Sequence, residues 1–160
     1  MRLLNQTEGG WQYQLSRGEA QALRSLIRQF PTPAKLAVKI TKTDTDPKAA
    51  EREKLLHDSL AEHREELRRK AQHLIGEDRL KLQRDRYVLS IGPDDREILL
   101  QILNDLRVES WCALGQPEDL DSPSNLSEGE RVHHSRMILA GYFECELLDL
   151  EQTSGPATEP

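Results

Sequence analysis

The chain has 160 residues, 36% hydrophobic and 31% charged, with 28 acidic against 22 basic side chains and a net charge of −6. That length holds one domain with a real core, and the apolar residues fall in periodic blocks, which describes a folded protein with exposed helices and excludes disorder. The acidic balance argues against a surface that grips nucleic acid all over, and an aromatic content of 4% argues against a large β-sandwich or a base-stacking platform.

No run of about 18 apolar residues occurs, so no membrane span is expected. The opening MRLLNQTEGG lacks the apolar core of a signal peptide. Cys112 and Cys145 stand far apart in helical patterns and read as free thiols of a reducing, cytoplasmic compartment.

Arg2 to Asn5 and Trp11 to Leu15 flank Thr7-Glu8-Gly9-Gly10 and predict a β-hairpin. Trp11, Tyr13 and Leu15 alternate with Gln12 and Gln14, which makes one face apolar. Ser16 to Phe30 predicts a helix. Ser16 and Glu19 have capping-box spacing, Ala20, Leu23, Ile27 and Phe30 form its stripe, and Pro31 and Pro33 stop it. Leu36, Val38 and Ile40 suit a short strand over residues 34–40, which Lys35, Lys39 and Lys42 make basic. Asp46-Pro47 opens a long helix that runs to Ile75. Leu56, Leu60, His63, Leu67, Lys70 and Leu74 form a narrow seam along it. The seam fits a helical hairpin within one chain and, as an alternative, a homodimer through residues 56–74. Arg86 to Ile91 reads as a third strand beside the hairpin.

Pro93 then opens the most apolar helix, with Asp94, Asp95 and Glu97 in its first turns and Gly115 at its stop. At roughly 100° per residue, Ile98, Leu99, Ile102, Leu103, Leu106, Ala113 and Leu114 share a wide sector, extended by Leu100 and Trp111. Gln101, Asn104, Asp105 and Glu109 fall mostly outside it, so this is the expected core helix. Arg107 lies inside the sector and has to be paired, reach the surface or face a partner. A buried, paired head there implies a cost of about 3–5 kcal/mol on removal. Gln116 to Asn125 reads as an acidic loop. Ser127 and Glu130 form a second capping box and open a last helix to Leu150, with Arg136 inside its apolar face. A Leu-Ser-x-Gly phrase at Leu15–Gly18, Leu89–Gly92 and Leu126–Gly129 predicts one capping solution used three times. The tail from Gln152 to Pro160 reads as disordered.

No catalytic, metal or cofactor motif emerges. Glu53 and His57 are spaced i, i+4 but have no second copy to complete a metal set. His133 and His134 point to different sides of a helix, and Cys145 sits between Glu144 and Glu146, which disfavours a thiolate. Arg64, Arg68, Arg69 and Lys70 form a basic cluster, but interleaved Glu62, Glu65 and Glu66 suit an ordinary salt-bridged helix face. Asn104, Asp105, Arg107 and Arg136 can build a polar network where the last helix crosses the core helix, with the two arginines meeting shared carboxylates.

The order of features resembles a bacterial family of uncharacterised function, often encoded near the adaptor of the Clp protease, some of whose members are labelled transcriptional regulators. The resemblance rests on Glu19 and Leu23 in the first helix, on Leu103-Asn104-Asp105-Leu106-Arg107, on Leu114-Gly115 and on the aromatic-bearing helix from Tyr142 to Leu150. The family often has a tryptophan before the central motif, whereas here Trp111 follows it. The resemblance implies a cytoplasmic bacterial protein and supplies no established activity; the genomic neighbourhood points towards proteolysis or its regulation. The expected architecture is α+β and mostly helical. A two- or three-stranded antiparallel sheet is packed by about four helices in one domain over residues 1–150. The expected function is a non-enzymatic protein-interaction or regulatory module. The alternatives are a nucleic-acid-binding regulator using the two basic clusters and a small enzyme with an unrecognised pocket.

Overall fold

The alternation around Trp11 is realised as a hairpin of β1 (Arg2–Thr7) and β2 (Gly10–Leu15). Only glycine fits at its second turn glycine, because Gly10 has φ +144° and a Cβ there would stand 2.2 Å from the Ile91 carbonyl oxygen. The computed structural model describes residues 1–31, 49–117 and 126–148. The 34–40 strand, Lys35, Lys39, Lys42, the Asp46-Pro47 helix start, most of the acidic loop and the tail lie outside them.

The sheet has four antiparallel strands in the order β1-β2-β4-β3, one more than the upper expectation. The addition is β3 (Leu80–Gln83), joined to β4 (Arg86–Ile91) by Arg84-Asp85, with Arg84 at φ 58°. Leu80 and Leu82 pair with Leu89 and Tyr87 in register, so the hairpin continues the apolar face of Tyr13 and Leu15.

Four helices pack with this sheet: α1 (Arg17–Gln29), α2 (Ala49–Leu74), α3 (Pro93–Ala113) and α4 (Glu128–Leu148). The Ser16 hydroxyl accepts from the Glu19 N–H at 3.2 Å, and the Glu19 carboxylate accepts from the Ser16 N–H at 2.6 Å. Ser127 and Glu130 repeat that exchange at the start of α4. The third Leu-Ser-x-Gly phrase works differently. Ser90 belongs to the β4 ladder and Gly92 is the N-cap of α3, its N–H donating to the Asp95 carboxylate at 3.2 Å. Pro93 fixes where that helix begins, two residues too late for Ser90 to cap it. Gly115 takes the expected left-handed conformation after α3, at φ +81°.

Leu99, Ile102, Leu103 and Leu106 of α3 are fully buried and meet side chains from every other helix and from β2, β3 and β4 in one cluster. The sector departs from expectation in its second half. Glu109 and Ser110 are buried, whereas Ala113 and Trp111 are exposed. α4 closes one side of α3, and α2 lies on the arc that carries Asp105 and Glu109. At the far end, the Leu147 carbonyl of α4 accepts from Tyr13 at 3.3 Å and from Arg96 Nε at 2.9 Å, which satisfies a helix-end acceptor with a cation.

Among the described residues, the second half of the α2 seam is the part packed within the chain. Leu67, Ala71, Leu74 and Ile75 are buried, while Leu55, Leu56 and Leu60 are 64%, 43% and 47% exposed. His63 and Lys70, the two weak positions of the expected seam, are exposed too, and Arg64 and Ala71 take the places beside Leu67. Leu103→Ala should cost about 3 kcal/mol in urea unfolding, because it opens a cavity in the fully packed α3 interface. Leu56→Ala should stay within about 0.5 kcal/mol of the parent.

Candidate functional site

α3 and α4 run antiparallel, since Arg96 meets Leu147 near one end and Trp111 shares a groove with Ile138 near the other. Arg107 stands at the lip of that groove. Its Nε lies 3.0 Å from the Glu144 carboxylate and its Nη2 donates to Asn104 Oδ1 at 3.2 Å. The guanidinium is half exposed, whereas the Glu144 side chain is 12% exposed. Burial pushes the Glu144 carboxyl above its ordinary value, and the Arg107 charge opposes this without cancelling it.

Beyond Arg107 the groove turns apolar. Val108 and Trp111 of α3 face Met137, Ile138 and Gly141 of α4 around a volume of about 530 Å³. Gly141 lets α4 approach closely: a Cβ there would sit 3.8 Å from Arg107 Cδ. Trp111 is 37% exposed, yet its ring is fixed, because Nε1 donates to the Pro117 carbonyl at 3.1 Å. Val108 and Ile138 are 43% and 52% exposed beside it. Such a groove supplies shape, apolar surface and one hydrogen-bonding cation, which is the equipment of a binding surface.

Arg136 does not join this site. It faces α1, where Nη2 donates to Gln29 Oε1 at 2.8 Å and the buried Nε–H has no acceptor among the described residues. The two arginines therefore meet no shared carboxylate. Asp105 lies on the other side of α3, facing α2, so the expected four-residue network divides into three separate contacts.

Within the α2 cluster Arg64 is committed to the fold, whereas Arg68 and Lys70 pair with glutamates of their own helix. Arg64 reaches α3, with Nε 3.3 Å from Asp105 and Nη2 on the Glu109 carboxylate, and its guanidinium lies 5.9 Å from the Phe30 ring centre. Arg68 pairs with Glu65, and Lys70 with Glu66 at 2.6 Å. These bonds hold Glu65 and Glu66 below the usual carboxylate range. Arg69 has no ion pair among the described residues. Glu109, expected outside the apolar sector of α3, is instead buried within it. It falls about 20° from Ile102 on the helix, so its place was readable, but its charge argued for solvent.

No protein-family model, no curated protein and no solved structure matches this chain. Among the described residues no helix is long and apolar enough to cross a membrane. Nor do three or more His, Cys, Asp or Glu side chains converge there. Cys112 is partly buried and Cys145 is exposed, both as free thiols.

Arg64→Met should destabilise by about 3 kcal/mol in urea unfolding, because it leaves Glu109 buried without that cation. Arg107→Ala should cost only about 1 kcal/mol at pH 7, since its head is half in water. That smaller loss should fade on acidification. The folded-state pKa of Glu144 is raised, so its carboxyl takes up a proton above the ordinary value of 4.5, and a neutral Glu144 no longer attracts Arg107. Paired unfolding curves at pH 7 and pH 4 check this. A cost that grows towards pH 4 contradicts it.

Proposed function

We propose that the chain is a non-enzymatic protein-interaction module. Its α3–α4 groove takes a peptide that presents a large apolar side chain with a carboxylate beside it. The observation that carries this is the continuity of exposed Val108, Trp111 and Ile138 with the half-exposed Arg107. A held tryptophan loses little freedom on binding, and Arg107 keeps N–H donors beyond those used by Glu144 and Asn104. Tryptophan and arginine are also the residue types that dominate binding energy at interfaces. Self-association through Leu55, Leu56 and Leu60 of α2 belongs to this reading as well. In an antiparallel pair, Leu56 of one copy faces Leu60 of the other, and Arg52 comes beside Glu66.

The nucleic-acid reading loses support, because Arg64, Arg68 and Lys70 are matched by carboxylates. Capture from a bacterial lysate with the tagged chain, with and without nuclease, separates the two. Protein partners should survive nuclease and be lost with Ile138→Asp, whose exposed position leaves the melting temperature within about 2 °C of the parent. Recovery that is unchanged by Ile138→Asp, or that collapses on nuclease treatment, overturns the reading.

A further inference from the structure

The exposed face of α1 carries Arg17, Arg24 and Arg28 within about 40° of arc, with axial steps of about 10 Å and 6 Å. They line a pocket of about 580 Å³ with Gln21, Ser25 and Tyr87, and among the described residues no carboxylate lines it. In a chain with six more acids than bases that is a selective arrangement. Elsewhere Arg64, Arg68, Lys70, Arg79, Arg86 and Arg107 each have a carboxylate within 4 Å, whereas Arg96 donates to the Leu147 carbonyl, Arg136 to Gln29, and Arg69 has no ion pair among the described residues. Arg17 and Arg28 make no hydrogen bond or ion pair among the described residues.

Arg24 is held in place at the back of the pocket. Its Nε and Nη2 point at the carbonyls of Ile75 and Leu80 at 3.4 and 3.5 Å, and its guanidinium lies 5.2 Å from the Tyr87 ring centre. Those contacts leave Nη1 uncommitted and fix the charge before any ligand arrives. Arg17 sits in the first turn of α1, where the helix dipole disfavours a cation. Packing explains neither exposed arginine. The adjoining groove towards α4, which shares Gln21, Ser25 and Gln29, adds Arg131 and Arg136 against one carboxylate, Glu128.

We propose that this pocket binds a small polyphosphate, with Arg24 and Arg28 on neighbouring phosphoryl groups and Arg17 on the outer end. Guanidinium forks match phosphoryl oxygens in geometry as well as in charge. The pocket volume falls in the range of small-molecule sites, and the acidic net charge of the chain favours a compact anion over a long nucleic acid.

The test is calorimetric titration of the full chain with inorganic tripolyphosphate, with a nucleoside triphosphate and with a single-stranded oligonucleotide, at about 0.15 M salt. The expected result is saturable one-to-one binding of the first two probes. Arg17→Ala/Arg28→Ala should weaken it about tenfold or more, and Arg69→Ala on α2 should leave it unchanged. Equal affinity for the two small probes identifies the phosphate chain alone as the recognised group. Tighter binding of the nucleotide adds the nucleoside to it. The Arg17 and Arg28 side chains are exposed and make no hydrogen bond or ion pair among the described residues, so the double variant should fold and its result is interpretable. No saturable binding, binding indifferent to the double variant, or tighter binding of the oligonucleotide overturns the proposal. Each outcome is independent of the α3–α4 groove, which the double variant leaves intact.

Discussion

A carboxylate buried in the central helix has to be matched, and the arrangement of α2 follows from that requirement. Glu109 sits at 5% exposure on the arc of α3 that faces α2, where an unpaired charge is costly. Arg64 supplies a guanidinium, engages Asp105 one turn earlier and lies over the Phe30 ring at the end of α1. One side chain thus ties three helices. Its position also divides α2 into two parts. After Arg64 the helix buries Leu67, Ala71 and Leu74, and before it Leu56 and Leu60 stay in water. The seam's weak positions do not select that boundary by themselves, because Lys70 interrupts the buried half just as His63 interrupts the line next to Arg64.

Arginines do similar work at two other junctions. Arg96 lies 4.7 Å from the Trp11 ring centre and donates to the Leu147 carbonyl, so it joins the sheet, the start of α3 and the end of α4. Arg24 lies over Tyr87 and points at the carbonyls where α2 gives way to β3. In each case a flat cation lies over an aromatic ring and also satisfies backbone or carboxylate oxygens. A small core with few aromatic residues gains orientation from these contacts as well as burial.

The sequence was most legible where local chemistry decides the outcome. The capping boxes at Ser16 and Ser127, the start at Pro93 and the stop at Gly115 depend on residues within one turn, and each could be read from its neighbours. It was least legible where a second element decides. β3 was missed because Arg84-Asp85 is a poor hairpin signal, although Leu80 and Leu82 alternate correctly around Lys81. Ser90 was misread as a cap because the phrase around it matches two real ones, and its pairing into the sheet overrides the phrase. Arg107 stood out as an exception to its helix face, yet only the packing of α4 selects Glu144 as its partner and turns Arg136 away towards α1.

The same distinction bears on where binding chemistry should be sought. The basic residues that look most like a binding cluster in the sequence, Arg64 to Lys70, are adjacent along the chain. Their density invited the functional reading, and the interleaved glutamates, with Asp105 and Glu109 across the helix interface, absorb most of that charge. Arg17, Arg24 and Arg28 are dispersed through a sequence whose apolar stripe draws the eye to the other side of the helix. Folding brings them into line and, among the described residues, places no acid with them. Charge left unmatched after folding is better evidence for an external partner than charge density along the chain, because desolvation and pairing have already removed the residues that the fold itself needs.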